Sequence, residues 1–184
     1  MTKAVAVALL LFFLPGIHAA GADQNAPELD QWFEQLATTQ DSRRADILTR
    51  KIWNAWLRSD REDVTALMVA GIAMMSQGKL ADALVRFNRI IEADPAFAEG
   101  WNKRATVLYH MRLFADSIAD IKQTLRLEPR HFGALSGLGL IMLERGNNLA
   151  ALAAFEKAQA INPHAPGVSE NIAYVRSLLR KQST

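Results

Sequence analysis

Apolar and small residues recur along this chain in a pattern that repeats itself. Three dipeptides each end an apolar run, namely Asp94-Pro95, Glu128-Pro129 and Asn162-Pro163, and their prolines lie 34 residues apart. Aligning the chain on them brings Leu67, Trp101 and Leu135 into register, then the small residues Gly71, Ala105 and Gly139, then Met74, Leu108 and Met142. The second half of each unit aligns Ala83, Ser117 and Ala151, then Phe87, Ile121 and Phe155, then Ile90, Thr124 and Ala158. Spacings of three and four predict helices, so each unit predicts two antiparallel helices. Small residues let the pair approach, and large ones fill the gaps beside them. Gly78 and Gly146 fall where a left-handed cap ends the first helix, and Arg112 holds that place in the middle unit. Each proline stops a second helix and opens the next turn.

These positions resemble the tetratricopeptide repeat (TPR). That signature runs bulky, small, aromatic, then small, aromatic, small and proline. The resemblance implies an all-α fold, a right-handed α-α superhelix (TPR solenoid) with an N-terminal helical pair and a C-terminal capping helix. Three units cover 64–97, 98–131 and 132–165. The middle unit departs from the pattern, with Arg104 at a place usually held by leucine, and with Ser117 and Thr124 in place of alanines.

The flanks read as the ends of such an array, where terminal units need covering elements. Val168, Ile172, Val175 and Leu179 recur at helical spacing, so 166–184 predicts a capping helix and tail. Between 23 and 63, "PELDQWFEQLATT" and "SRRADILTRKIWNAWLRS" predict two more helices, with Asp41 as N-cap of the second. Their Trp32, Phe33, Leu36, Ile47, Leu48, Ile52, Trp53, Trp56 and Leu57 are expected to bury the pair against the first repeat as a degenerate repeat without its proline. Residues 23–27 read as a short mobile entry. About nine helices result.

Residues 1–22 read differently. Lys3 precedes an eleven-residue apolar run, Ala4 to Leu14, then Pro15-Gly16 and the small-residue site Ala20-Gly21-Ala22. This is the shape of a cleavable secretory signal, and the run is shorter than the roughly 20 residues a spanning helix needs. The expectation is an exported, periplasmic or secreted chain that begins between about residue 20 and residue 23 and keeps no membrane span. The chain has no cysteine, which removes disulfides, a lipidated anchor and thiolate chemistry.

Composition adds little. Half of the 184 residues are hydrophobic and the net charge is +2, which fits a folded chain with a sizeable core. Cations alternate with acids, so no basic stripe suggests nucleic acid. "GALSGLG", 133–139, lacks the order of a phosphate-binding loop. His110, His131 and His164 have no metal-ligand spacing. His131 and His164 occupy equivalent turns and read as surface or capping groups. No serine, carboxylate or histidine arrangement nominates an active site. The expectation is a non-enzyme without cofactor, metal or evident small-molecule substrate.

The resemblance places partner-facing residues at the second, fifth, ninth and twelfth positions of each first helix. These are Thr65, Met68, Ile72 and Met75; Glu99, Asn102, Thr106 and Tyr109; and Gly133, Ser136, Leu140 and Leu143. The expected groove uses Met68, Ile72, Met75, Asn102, Thr106, Tyr109, Ser136 and Leu140. It would hold a protein or peptide, with apolar burial on Met68, Ile72 and Leu140 and hydrogen bonds from Asn102 and Tyr109. The terminal helices could instead fill it. The carboxylate clamp of chaperone-binding relatives is not supported, because Asn102 and Lys103 are its only candidates. Exported members of the family often serve envelope assembly or cytochrome maturation. A self-associating structural solenoid and a non-catalytic accessory subunit of an envelope enzyme stay open, as does the oligomeric state. Arg104 falls on the core stripe between Trp101 and Leu108, and a charge there needs a partner. Asp116 and Asp120 on the next helix are the candidates.

Overall fold

The computed structural model describes residues 23–182, and the signal-like segment lies outside them. A short 3₁₀ turn, Asp23–Asn25, leads into nine α-helices among the described residues: α1 (Glu28–Thr38), α2 (Ser42–Leu57), α3 (Glu62–Ser76), α4 (Leu80–Ala93), α5 (Ala98–His110), α6 (Phe114–Leu127), α7 (Phe132–Glu144), α8 (Asn148–Ile161) and α9 (Val168–Gln182). Helices α3/α4, α5/α6 and α7/α8 are the three repeats. Each packs as an antiparallel pair, and α9 lies against α8.

The aligned positions explain how each pair closes. A Cβ on Gly71 would stand 2.6 Å from Cε1 of Phe87, and one on Gly139 would stand 2.5 Å from Cε1 of Phe155. Only a hydrogen fits under those rings. In the middle repeat the ring is replaced by Ile121, and Ala105 is tolerated opposite it; both are buried. The two polar departures are satisfied locally. Ser117 Oγ donates to the carbonyl of Ala105 at 2.7 Å, and Thr124 Oγ1 donates to that of Asp120 at 3.0 Å. A buried hydroxyl so paired costs little.

The turns follow the sequence equally closely. In each proline turn the side chain before the proline accepts a backbone N–H two residues on: Asp94 from Ala96, Glu128 from Arg130 and Asn162 from His164. Gly78 and Gly146 take φ of 72° and 71°, and Arg112 takes φ 62° in the same place. A side chain in that region costs about 1–2 kcal/mol, partly offset by the extra freedom glycine loses on folding. Arg112→Gly is therefore expected to stabilise the fold by about 0.5–1 kcal/mol. The loss of the exposed Arg112–Glu144 ion pair subtracts little. Urea denaturation checks this, and a fall in midpoint would contradict it.

Asp41 caps α2, accepting N–H groups from Arg43 and Arg44. The placement of the N-terminal pair differs from the expectation. It does not stack on the first repeat as a degenerate unit. It lies along the edge formed by the three proline turns. Gln24 bonds the first turn, donating to the carbonyl of Ala96 at 2.6 Å and accepting from the Ala98 N–H, so the entry segment is anchored. Asp30 pairs with Arg130 of the second turn at 2.6 Å, and the Arg130 guanidinium lies 4.4 Å over the ring of Phe33. At the third turn His164 Nε2 meets the carbonyl of Thr39, and Asn162 donates to Thr49. The buried face of the pair, from Leu29, Phe33 and Leu36 to Ile52 and Trp56, joins one cluster with Phe132, Leu135, Phe155, Val168 and Val175. Leu57 packs on the repeat-one cluster, whereas Ile47 is 48% exposed. The physical reason is where apolar surface is available. The third repeat and α9 offer large buried side chains, while the outer face of α3 offers mainly alanines.

Candidate partner-binding site

The inner faces of α5 and α7 enclose a pocket of about 280 Å³, floored by Ala105, Ser117 and Ile121 and flanked by Gly133, Gly137 and Ile141. It opens because α7 carries small residues there: a Cβ on Gly137 would meet only Ile121, at 3.8 Å. Of the expected groove residues, Asn102, Thr106, Tyr109, Ser136 and Leu140 line this pocket. His110, at the end of α5, is also on its wall.

The pocket's serine and threonine hydroxyls are already committed. Thr106 Oγ1 donates to the carbonyl of Asn102 at 2.9 Å, Ser136 Oγ to that of Phe132 at 2.9 Å, and Ser117 Oγ to that of Ala105. The surface offered to a ligand is therefore mainly hydrocarbon, with the Tyr109 phenol at its margin.

Asn102 is a correction. It is 6% exposed, and its Nδ2 donates to Glu99 Oε2 at 3.0 Å, so its amide serves the fold rather than a ligand. Met68 is a second correction: it is 2% exposed, within the repeat-one core. Met75 packs beside that core, and Ile72, 38% exposed, lies away from the pocket. Alternation of apolar residues cannot tell a groove face from a core face when both are apolar, which is why the methionines misled.

Below the pocket sits a polar cluster that sequence reasoning missed. Glu99 is fully buried, paired to Lys103 Nζ at 2.9 Å and to His131 Nε2 at 2.8 Å. His131 Nδ1 accepts the Ala134 N–H and so caps α7, leaving Nε2 as the donor to Glu99. Its ring stacks on Trp56 at 4.1 Å and 12°. The capping role was legible from its place in the turn; its complete burial was not. Burial pushes the Glu99 carboxyl up, but the Lys103 ammonium and the His131 N–H more than offset this and hold it below the usual carboxylate range. Trp53 closes this end of the groove: Lys103 lies over its ring, and a Cβ on Gly133 would stand 2.6 Å from Cη2. The N-terminal pair thus covers the Gly133 end and leaves the pocket open.

Arg104 is paired as its position required. Nε and Nη2 each reach an Asp120 carboxylate oxygen at 2.7 Å, and Nη1 donates to Asn88 on α4. Asp116 lies beside it without a direct bond. Trp101 is scaffold. Its Nε1 donates to the carbonyl of Pro95, and the Arg104 guanidinium stacks over its ring. Among the described residues no group of three metal-ligating side chains converges, and no helix is long and apolar enough to cross a membrane.

Comparison with known proteins agrees with this geometry. The model of the tetratricopeptide repeat matches residues 102–166. A TPR repeat-containing protein of Rhizobium etli is 35% identical over 135 residues, covering 73% of this chain and 66% of that protein. The Hsp70-Hsp90 organizing protein of Triticum aestivum is 30% identical over 56% of this chain, which spans only 18% of its length. Among solved structures, the first TPR domain of Spaghetti bound to an HSP90 peptide superposes with a TM-score of 0.63 at 19% identity, over 66% of this chain and 96% of that one. The TPR2B domain of yeast Sti1 in its Hsp70 complex gives 0.60 at 15%, over 64% and 99%. At such identities the two structures establish a shared solenoid fold. With the three 34-residue units, the glycine-under-phenylalanine packing of the first and third and the proline turn of each, this chain belongs to the tetratricopeptide repeat family.

Proposed function

We propose that this protein is a periplasmic adaptor that holds an extended segment of a partner protein on its concave face, with one apolar side chain of that segment seated between α5 and α7. As a TPR protein it is a protein–protein interaction module, and the finer reading rests on the pocket. A cavity of about 280 Å³ whose serine and threonine hydroxyls are spent on helix carbonyls suits a hydrocarbon group better than a charged one. The related domains bound to HSP90 and Hsp70 peptides show that this architecture accommodates a peptide. The residues used here differ, because Asn102 is tied to Glu99 and Lys103 to the same carboxylate. The segment recognised is therefore apolar rather than a C-terminal carboxylate.

Export rests on the signal-like pattern of residues 1–22. Envelope assembly or cytochrome maturation is the setting the family suggests. A scaffolding rather than a catalytic role is what membership of the tetratricopeptide repeat family supports. Photo-crosslinkers at Thr106 and Ser136 in an envelope fraction should capture one discrete set of partners. Gly137→Leu, which fills the cavity, should remove that set while circular dichroism stays unchanged. An unchanged set with Gly137→Leu refutes the pocket. Recovery of the intact chain, residues 1–22 included, from the cytoplasm refutes export.

A further inference from the structure

In α5 and α7 one face is given to the second helix of the preceding repeat. On α5 this face is Gly100, Arg104 and Val107. A Cβ on Gly100 would stand 2.7 Å from Ile90 Cγ2, Arg104 bonds Asn88 of α4, and Val107 lies in the repeat-one core. On α7 the same places are Ala134, Leu138 and Ile141, packed in the repeat-two core. The equivalent places on α3, 34 residues earlier, are Ala66, Ala70 and Ala73. Among the described residues nothing comparable covers them, because the N-terminal pair lies along the turn edge instead. Ala66 is exposed, Ala70 and Ala73 are half-buried, and Val69 beside them is 65% exposed. They line an open trough with Asp60 and Glu62 at one end.

We propose that this face binds the same face of a second copy of the chain, with the two α3 helices packed antiparallel about a two-fold axis between Val69 and Ala70. The outer stripe reads Glu62, Ala66, Val69, Ala70, Ala73, Gln77, followed by Lys79, and about that midpoint its apolar positions are symmetric in spacing. Antiparallel pairing sets Ala66 against Ala73 of the second copy and Val69 against Ala70, so the small side chains let the helices approach closely. It also brings Asp60 and Glu62 beside Gln77 and Lys79 of the second copy, all exposed, and opposes the helix dipoles. A parallel pairing would set the acids against each other. The two-fold arrangement closes at a dimer, whereas end-to-end stacking would grow without limit. A single helix pair buries less than a standard interface, so the dimer is weak.

Sedimentation velocity from dilute to millimolar protein is expected to show a monomer–dimer equilibrium. Val69→Asp should abolish it with circular dichroism unchanged, because Val69 is 65% exposed and belongs to none of the core clusters. Asp60→Lys should weaken it, and Asp60→Lys with Lys79→Asp should restore it. The chain has no cysteine, so Ala70→Cys provides a single thiol near the axis. Mild oxidation should link it into dimers, while Ile47→Cys on α2 stays monomeric. A monomer at every concentration, growth beyond the dimer, dimers that survive Val69→Asp, or equal crosslinking at Ile47 would each overturn the proposal.

Discussion

Arg104→Ala is expected to destabilise the fold by about 3 kcal/mol, the low end of the cost of removing one partner from a buried ion pair, because the arginine side of this pair is 23% exposed. The reason is what the substitution leaves behind. The Asp120 side chain is 4% exposed and receives two bonds of 2.7 Å from this guanidinium. Without them its charge stays in the interface of α5 and α6 with no donor in place. Asn88 on α4 loses its bond at the same time, so one tie between repeats one and two goes as well. Arg104→Leu with Asp120→Leu tests the explanation. Replacing both partners with apolar groups removes the stranded charge, and that variant should recover most of the loss. Chemical denaturation of the three proteins decides it. A cost near zero for Arg104→Ala would show that the pair is merely a surface contact.

His131→Ala is expected to cost a similar amount, about 3–5 kcal/mol. It removes the cap of α7, worth about 1 kcal/mol, and a donor to a fully buried carboxylate. The stack on Trp56 goes with them. The loss should be visible first as release of α1 and α2, because Trp53 and Trp56 rest on this imidazole. Tryptophan emission should shift before helical signal falls. His131→Asn, which keeps a capping group, should return only the capping part.

The same cluster sets a pH dependence. The Glu99 carboxyl titrates below its usual 4.5 in the folded chain. A group lowered on folding contributes its stability in full above the unfolded value, and that contribution drains away as pH falls through the folded one. Stability should therefore decline below about pH 4.5, and Glu99→Gln should flatten that acid limb. An acid limb identical in Glu99→Gln would remove Glu99 as its source.

Much of this was legible along the chain. The 34-residue register fixed the helix pairs, because glycine under a phenylalanine ring and proline after a helix have few other uses at that spacing. It also marked Arg104 as misplaced and in need of an acid on the next helix, since a charge on a core stripe is costly anywhere. Asp41, Gly78 and Gly146 signalled their caps through local chemistry alone. Three things were settled only by the tertiary structure. Met68 is core and Leu140 lines a pocket, although both are apolar residues on first helices; burial depends on what lies opposite. Asn102 serves Glu99, and Glu99 serves His131 from 32 residues away, a pairing no local pattern encodes. The N-terminal helices announce an amphipathic pair but not its destination. Their apolar faces would fit any large hydrophobic surface, and the turn edge with the third repeat and α9 buries more than the alanines of α3. Periodicity specifies which faces must be covered, and the competition between distant faces decides what covers them.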